Sequence, residues 1–245
     1  MNKVSSLTRT IVVVVTDYFP PATRGGAVRA LSAMTGYLKA EIDFRIITRD
    51  HDALTGELLS VSESDQWVTE DGFKILRLSS ARLSLRNIQQ AIVESSPTTI
   101  FANSLFSRLT QILLLLRKSG WIGHVPLIIA PEGELSPGAL AVKKSRKLIW
   151  LMLAKATGLV RGIVWKVASE FEQKAVGTIF SGSPIALIPH LVQTPPTFER
   201  TRIKTPDVLR LLFLSRISPK KNLQFLLEVL GSAPAGTELS IVGPV

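Results

Sequence analysis

Residues 11–38 have the sequence IVVVVTDYFPPATRGGAVRALSAMTGYL and contain the pattern on which the interpretation of the whole chain depends. It begins with an unbroken apolar run at residues 11–15, which is typical of a strand buried on both faces inside a parallel sheet. A loop with two prolines and the pair Gly25-Gly26 follows, and from Ala27 onward the apolar residues recur with helical spacing. A strand, a glycine loop and a helix in this order present backbone N–H groups and the positive end of a helix to a phosphate.

The glycine loop matches neither G-x-G-x-x-G nor G-x-x-x-x-G-K-[ST], so it supports neither a dinucleotide site nor a P-loop. Gly25 and Gly26 lack the Cβ atoms that would obstruct an approaching ligand, and we take them as candidate phosphate-binding residues. The alternative is that the two glycines only allow the chain to turn.

Short strands and amphipathic helices alternate through the rest of the chain. This alternation predicts an α/β fold with a doubly wound parallel sheet. The predicted strands cover residues 44–48, 73–78, 99–102, 127–130, 178–181 and 185–188, and the predicted helices centre on residues 85–92 and 105–116. The strand at 73–78 alternates apolar and basic residues and is predicted to expose one face. Residues 50–71 are predicted to form a long polar loop.

A proline- and threonine-rich stretch at residues 189–206 is typical of an interdomain linker. We predict an N-terminal Rossmann-like domain at 1–190, a linker at 191–208 and an incomplete C-terminal domain at 209–245. The C-terminal part holds a single β-α-β pattern, which buries too little apolar surface to offset its chain entropy. We therefore expect this part to be loosely held, to dock on a partner or to aggregate.

The composition is that of a folded protein, with 46% hydrophobic and 20% charged residues. The absence of cysteine excludes disulfides, thiolate metal sites and thiol nucleophiles. The three histidines, His51, His124 and His190, are scattered, so no metal and no other cofactor is expected. The net charge of +10 indicates an anionic partner. The N-terminus MNKVSSLTRT has no signal-peptide pattern, which predicts a cytoplasmic protein.

The loop PEGELSPG follows the predicted strand at 127–130, at the end of the sheet where open α/β folds bind ligands. Glu132 and Glu134 are therefore candidates for a base or for binding sugar hydroxyls. The alternative is that these carboxylates cap the positive end of the following helix.

No acidic residue occurs between Leu135 and Ser169, a segment that also holds Trp150 and Trp165. Its basic residues are Lys143, Lys144, Arg146, Lys147, Lys155, Arg161 and Lys166. The segment is too interrupted to span a membrane, but basic helices with tryptophans suit an anionic lipid surface. The alternative is two packed helices with a solvated basic face. No recognised motif supports nucleic acid as the partner.

Together these segments resemble the retaining glycosyltransferases of family 4 (group 1), which have the GT-B fold of two Rossmann-like domains. DYFPPATRGG (17–26) is similar to the family's N-terminal glycine loop. PEGELSPGAL (131–140) with KKSRKLIW (143–150) resembles a P-R-G-x-L-x-P-x-A-L…K-K pattern of one branch. LRLLFLSRISPKKNLQFLLEVL (209–230) is close to F-L-G-R-L-x-P-x-K-G-x-x-x-L-L-x-A.

In that last segment Arg216 follows a predicted strand and Lys221 lies near the start of a predicted helix. Two cations and a helix N-terminus suit a diphosphate. The resemblance implies that Arg216 and Lys221 bind the phosphates of a nucleotide-sugar and stabilise the departing nucleoside diphosphate, and that Gly25 and Gly26 make room for them.

The resemblance implies transfer of a hexosyl group, with retention, from a nucleotide-sugar to a glycan or lipid-linked acceptor that Glu132 faces. The chain departs from the pattern at Ser215 and Asn222, where relatives have glycine, and at Glu132, where many have His or Arg. Relatives continue past Val245 to a pair of glutamates, so we expect a C-terminally truncated enzyme. The alternative is a non-catalytic remnant that binds an anionic membrane or a partner through its basic segment.

Overall fold

The computed structural model describes residues 9–18, 26–52, 56–59, 64–191, 208–215, 217 and 221–243. Over these residues the chain forms ten strands and seven helices. It divides into two compact units, Met1–Gln193 and Thr194–Val245. The predicted linker falls mostly on residues 192–207, which lie outside the described residues.

The first unit is built on an eight-stranded sheet in the order β3-β4-β2-β1-β5-β6-β7-β8. Its strands are β1 (Arg9–Val14), β2 (Ile42–Arg49), β3 (Trp67–Glu70), β4 (Phe73–Leu78), β5 (Thr99–Asn103), β6 (Leu127–Ala130), β7 (Val164–Val167) and β8 (Ile185–Leu187). Every neighbouring pair is parallel except β3 and β4, which are antiparallel. The prediction of an α/β fold with a parallel sheet is therefore confirmed.

The apolar run of β1 supplies the core on both faces of the sheet. Val12 and Val14 belong to one apolar cluster and Val13 and Val15 to another, because successive side chains of a strand point to opposite faces. All four valines are at most 4% exposed. The helices of this unit are α1 (Gly26–Leu38), α2 (Leu85–Ser95), α3 (Arg108–Lys118), α4 (Pro137–Ala141), α5 (Lys144–Ala156) and α6 (Glu170–Ile179).

Two of the predicted strands are wrong in detail. Residues 178–181 do not form a strand, because α6 runs through Ile179 and a turn follows. Strand β4 does not expose one face: of its residues only Lys74 is exposed. The basic residue Arg77 is 2% exposed because Glu70 of β3 accepts two hydrogen bonds from its guanidinium, at 2.5 and 2.7 Å. The predicted polar loop at 50–71 contains β3 itself.

The second unit contains one β-α-β arrangement, formed by β9 (Arg210–Leu214), α7 (Leu223–Leu230) and β10 (Glu238–Val242). The two strands pair in parallel. The apolar side chains of this unit stay accessible: Leu212 is 63%, Leu214 is 70% and Phe225 is 59% exposed. None of the helices in the described parts of the chain is both long and apolar enough to cross a bilayer.

Candidate active site

A group of charged side chains lies where the neighbouring strands β6, β7 and β8 end. Glu132 follows β6, Lys166 is in β7, and His190 follows β8. The backbone of Glu132 is left-handed (φ 52°), and Gly133 continues this turn (φ 74°). Because the carboxyl ends of parallel strands meet at one edge of a sheet, these three residues from distant parts of the sequence come together there.

The three side chains lie in a row, with a hydrogen bond between Lys166 and His190 and a closely spaced pair of polar atoms between His190 and Glu132. Nζ of Lys166 lies 3.2 Å from Nδ1 of His190, and Nε2 of His190 lies 3.3 Å from Oε2 of Glu132. Lys166 is 9% exposed and the Glu132 side chain 12%, whereas the imidazole of His190 is 37% exposed. The row therefore runs from a buried ammonium to a carboxyl at the edge of the core.

Burial raises the pKa of the Glu132 carboxyl to about 7. The Lys166 ammonium acts against this increase, while the negative charges of Glu172 and Glu134 add to it. Burial, followed by the charge of Lys166, lowers the pKa of His190. A carboxyl with a pKa near neutrality exchanges a proton readily at physiological pH, which is the property required of a general acid or base.

Glu172 holds the Glu132 loop in place from the first turn of α6. Its carboxylate accepts hydrogen bonds from the backbone N–H of Gly133 at 2.6 Å and of Ala168 at 2.8 Å, and it is 8% exposed. Ser169 caps the same helix by accepting a hydrogen bond from the N–H of Glu172. The left-handed turn at Glu132 is thus tied to the end of β7.

Glu134 has a different role from Glu132. Its carboxylate accepts hydrogen bonds from Oγ of Ser104 at 2.6 Å and from the backbone N–H of Leu105 at 2.6 Å and of Phe106 at 3.2 Å. These contacts join the loops after β5 and β6. They also delay the start of α3 to Arg108, three residues later than the sequence predicted.

The alternative in which these glutamates cap the following helix is wrong. That helix, α4, is capped by Oγ of Ser136, which accepts from the N–H of Ala139. Glu132 instead contacts His190, and Glu134 contacts the loop after β5. Both carboxylates are thereby directed into the edge of the sheet.

The other predicted site residues belong to the two ends of the chain. Gly26 is the first residue of α1, and a Cβ atom there would meet no atom of the described residues within 4 Å. Gly25 and Arg216 lie outside the described residues. Lys221 is exposed and precedes Asn222, the N-cap of α7. Asn222 has φ 50°, a conformation that asparagine and glycine tolerate best.

The basic segment does not form one uniform face. Lys166 is buried in β7, and Nζ of Lys147 donates to the carbonyl oxygen of Ala139 at 2.6 Å. Arg146 and Lys155 remain exposed on α5. The same helix carries an exposed apolar set, here called the α5 surface, whose members are between 44% and 62% exposed: Leu148, Ile149, Met152 and Leu153.

A cleft of about 300 Å³ opens beside α5. Three cations and two aromatic rings line it together with one amide: Lys143, Arg146, Lys147, Phe106, Trp150 and Gln111. The rings of Phe106 and Trp150 meet edge to face at 5.4 Å. Such a lining suits an anionic group that also carries an apolar portion.

Sequence reasoning missed Lys166, Glu172 and His190 as members of this site. A signal existed for Glu172, because Ser169-x-x-Glu172 is a capping-box pattern that predicts a helix start. Lys166 interrupts the apolar strand VWKV, and a lysine inside a buried strand indicates a paired or functional group. His190 gave no local signal. Among the described residues no three His, Asp or Glu side chains are arranged to hold a metal ion.

Comparison with known proteins adds information on the fold. No protein-family model matches this chain, and no curated protein matches it. Twelve solved chains are similar in structure. One is the α,α-trehalose 6-phosphate synthase from Burkholderia multivorans, with a TM-score of 0.51 and 11% sequence identity. The match covers 97% of this chain, which spans 64% of the length of that structure.

A likeness at this identity concerns the fold. The chain has the Rossmann-like α/β architecture of the GT-B type, in agreement with the prediction. The comparisons do not distinguish family 4 from other families with this fold.

Proposed function

We propose that this chain is a glycosyltransferase, or part of one, that transfers a hexosyl group from a nucleotide-sugar to a hydroxyl acceptor. The observation that carries this proposal is the Glu132 carboxyl, with a pKa of about 7, at the ligand-binding edge of a GT-B type sheet. Retention of configuration and a place in the synthesis of a surface polysaccharide or lipid-linked glycan follow from the resemblance to family 4.

The donor would bind through its phosphates. Lys221 adjoins the N-terminus of α7, where backbone N–H groups and the helix dipole favour an anion. Arg216 would supply a second cation, and Gly25 and Gly26 would leave room for the phosphates. Charge that develops on the leaving diphosphate is where fixed cations contribute most to the rate.

The acceptor would meet Glu132. As the acceptor oxygen forms a bond to the anomeric carbon on the face that the diphosphate leaves, the bond from that carbon to the diphosphate oxygen breaks, and the nucleoside diphosphate departs with the electron pair. The hydroxyl proton passes to the Glu132 carboxylate and then to water. No metal or other cofactor takes part in this scheme.

Donor binding is tested by calorimetric titration of the chain with uridine, guanosine and adenosine diphosphates. We expect one of them to bind and Lys221→Ala and Arg216→Ala each to weaken it about tenfold or more. Arg210→Ala is the matched control, because it removes a cation at the other end of β9, where Arg210 pairs with Glu238 at 3.0 Å. Absence of binding by any nucleotide, or equal effects of Lys221→Ala and Arg210→Ala, contradicts the proposal.

Transfer is tested with the matching nucleotide-sugar. Glu132→Gln should lower the turnover number about 10²- to 10⁴-fold, the usual contribution of a general base, and leave donor binding intact. The anomeric coupling constant of the product by NMR decides between retention and inversion.

A second candidate function, association with an anionic membrane, is favoured by the α5 surface. Four exposed apolar side chains lie on a helix that also exposes Lys144, Arg146 and Lys155 and adjoins the cationic cleft. Apolar residues beside basic ones are typical of helices that lie in the interface of anionic bilayers. The enzyme would then work as a peripheral protein at the cytoplasmic face, where a lipid-linked acceptor is found.

Flotation with phosphatidylglycerol and phosphatidylcholine vesicles tests this second proposal. We expect retention on the anionic vesicles only, with loss at high salt. The variant Ile149→Gln/Met152→Gln should abolish it, whereas Val93→Gln, at a residue 53% exposed on α2, should not. Equal behaviour of both vesicle types would make the α5 surface an ordinary solvated face.

A further inference from the structure

The chemistry of Lys166, His190 and Glu132 determines which atoms in this row donate a proton and which accept one. A lysine ammonium only donates hydrogen bonds, so Nδ1 of His190, 3.2 Å away, must accept. A neutral imidazole that accepts at Nδ1 carries its proton on Nε2. Nε2 lies 3.3 Å from Oε2 of Glu132, so this N–H is the polar group of the ring that adjoins the carboxyl.

Both ends of the row are anchored to rigid parts of the fold. Lys166 lies within β7, paired in register with Ala186 of β8. The segment leading to His190 is tied to the sheet because the N–H of Ile188 donates to the carbonyl of Val167 at 2.8 Å. Glu132 is held from the other side by the contact of Glu172 with Gly133. The backbone on which the three side chains stand is therefore held by the sheet and its adjoining loops.

Glu132 is surrounded by titratable groups from β7, from α6, from its own loop and from the segment after β8. Lys166 of β7 is positive, Glu172 of α6 and Glu134 of the same loop are negative, and His190 after β8 is the direct partner. A negative charge on Glu132 is opposed by burial and by two carboxylates, and it is favoured by the positive charge of Lys166.

We propose that His190, oriented by Lys166, is a positioning residue for Glu132: its Nε2–H occupies one carboxyl oxygen and leaves the other for the acceptor hydroxyl. The second half of this inference rests on the proposed function, because it names a substrate hydroxyl. The tautomer and the row of hydrogen bonds do not, and they can be measured in the absence of any substrate.

Loss of the ammonium has a definite consequence for the row. With Lys166→Met, Nδ1 of His190 no longer faces a donor, and the imidazole becomes free to carry its proton on Nδ1. The charge of Lys166 also lowers the pKa of both His190 and Glu132, so its removal should raise both. Glu132 then stays protonated to higher pH and is a poorer base near neutrality.

The test is NMR of the full chain labelled with ¹³C and ¹⁵N in histidine. Only three imidazoles contribute, and His190→Gln assigns the signal of His190, with His51 and His124 as internal references. At pH 7.5 we expect the shifts of a neutral ring protonated on Nε2. Its titration should have a midpoint below 6.5 and a second inflection near pH 7, which Glu132→Gln removes.

Lys166→Met should allow a detectable fraction of His190 to carry its proton on Nδ1 and should move the His190 midpoint to higher pH, whereas Lys174→Met, at an exposed lysine of α6, should change neither. A wild-type ring protonated on Nδ1 overturns the inference. So does a folded Lys166→Met variant with an unchanged His190 titration. The wild-type measurement decides the tautomer even if that variant fails to fold.

Activity separates this inference from the proposed function. If transfer occurs, His190→Gln should lower kcat about tenfold, shift the pH profile and leave KM for the donor unchanged. Normal transfer with an unshifted profile overturns the positioning role and leaves the glycosyltransferase proposal intact. Failure to bind any nucleotide, together with the expected NMR result, overturns the proposed function but not the row of hydrogen bonds.

Discussion

Strand β1 and strand β9 are both apolar runs in parallel pairings, yet their side chains meet very different surroundings. Val12, Val13 and Val14 have no exposed surface, whereas Leu212 and Leu214 are 63% and 70% exposed. Strand β1 lies inside an eight-stranded sheet with an apolar cluster on each face. Strand β9 pairs with β10 in a two-stranded sheet, and no residue of that unit's described helix, α7, is buried.

The two strands show that strand formation and burial are separate properties of an apolar run. The run determines that a strand forms, because β-branched and aliphatic residues favour extended backbone. Burial depends on neighbouring strands and covering helices, which the run itself does not specify. The two units of this chain therefore differ in the stability they derive from similar sequences, and each prediction below tests that difference.

The largest expected effect is in hydrogen exchange. Backbone amides at Val12–Val14 should exchange at least about 100-fold more slowly than those at Leu211–Leu214, because protection follows burial and local stability. Mass spectrometry of peptides from the intact chain measures both segments in one experiment. Equal protection of the two strands would show that the second unit is as stable as the first, contrary to our expectation of a loosely held C-terminal part.

Matched leucine-to-alanine substitutions in the two units measure how much a buried and an exposed leucine contribute to the free energy of unfolding. Leu113→Ala, at a residue of α3 with no exposed surface, should cost about 3 kcal/mol of unfolding free energy. Leu212→Ala should change it by less than about 0.5 kcal/mol. Chemical denaturation followed by circular dichroism reports on both units. A loss of more than about 2 kcal/mol from Leu212→Ala would mean that β9 is covered in solution.

The buried carboxyl of the first unit should make stability depend on pH. The pKa of Glu132 lies near 7 in the folded chain and at 4.5 ordinarily. Protonation of this carboxyl therefore stabilises the folded chain. This contribution to the free energy of unfolding is fully present below pH 4.5 and is lost as the pH rises through 7. Relative to wild type, Glu132→Gln should be neutral at pH 4.5 and more stable at pH 8, by about 2 to 3 kcal/mol.

The control for that experiment is Glu238→Gln in the second unit, where the side chain is 62% exposed. Because exposed ion pairs contribute little, Glu238→Gln should change the free energy of unfolding by less than about 0.5 kcal/mol. A stability difference for Glu132→Gln that stays constant with pH would place the carboxyl in an ordinary solvated setting.

The smallest expected effect compares two arginine–glutamate pairs between adjacent strands. Arg77→Gln breaks a pair whose arginine is 2% exposed and should cost about 2 kcal/mol. Arg210→Gln breaks a pair whose members are 48% and 62% exposed and should cost less than about 0.5 kcal/mol. Thermal denaturation at low and high salt measures both, and only the second pair should weaken appreciably with salt.

The sequence was sufficient for most of the fold. Periodicity placed the strands at 127–130 and 185–188 and the helix at 85–92 close to where the structure has them. Periodicity did not predict β7. This strand has only four residues, one of them Lys166, and the sequence before it is also apolar. Periodicity also failed at residues 178–181, because short apolar runs at a helix end resemble strands.

The candidate site was harder to predict than the fold. Glu132 was found because its loop follows a buried strand, and strand ends are where open sheets bind ligands. Its partners Lys166 and His190 were not, since hydrogen bonds between strand ends depend on the order of strands in the sheet. That order places β6, β7 and β8 side by side and was not specified by local pattern.

The position of β1 in the middle of its sheet has a consequence for biosynthesis. Its partner on one side is β5, and the hydrogen bond from Thr98 to the carbonyl of Thr10 joins residues 88 positions apart. At ribosomal rates of about 5 to 20 residues per second, β1 waits roughly 4 to 18 s for that neighbour. During this time the run of valines has an open edge, which is a site for pairing with other chains. Chaperone demand in the cell should therefore be greatest before residue 103 has emerged.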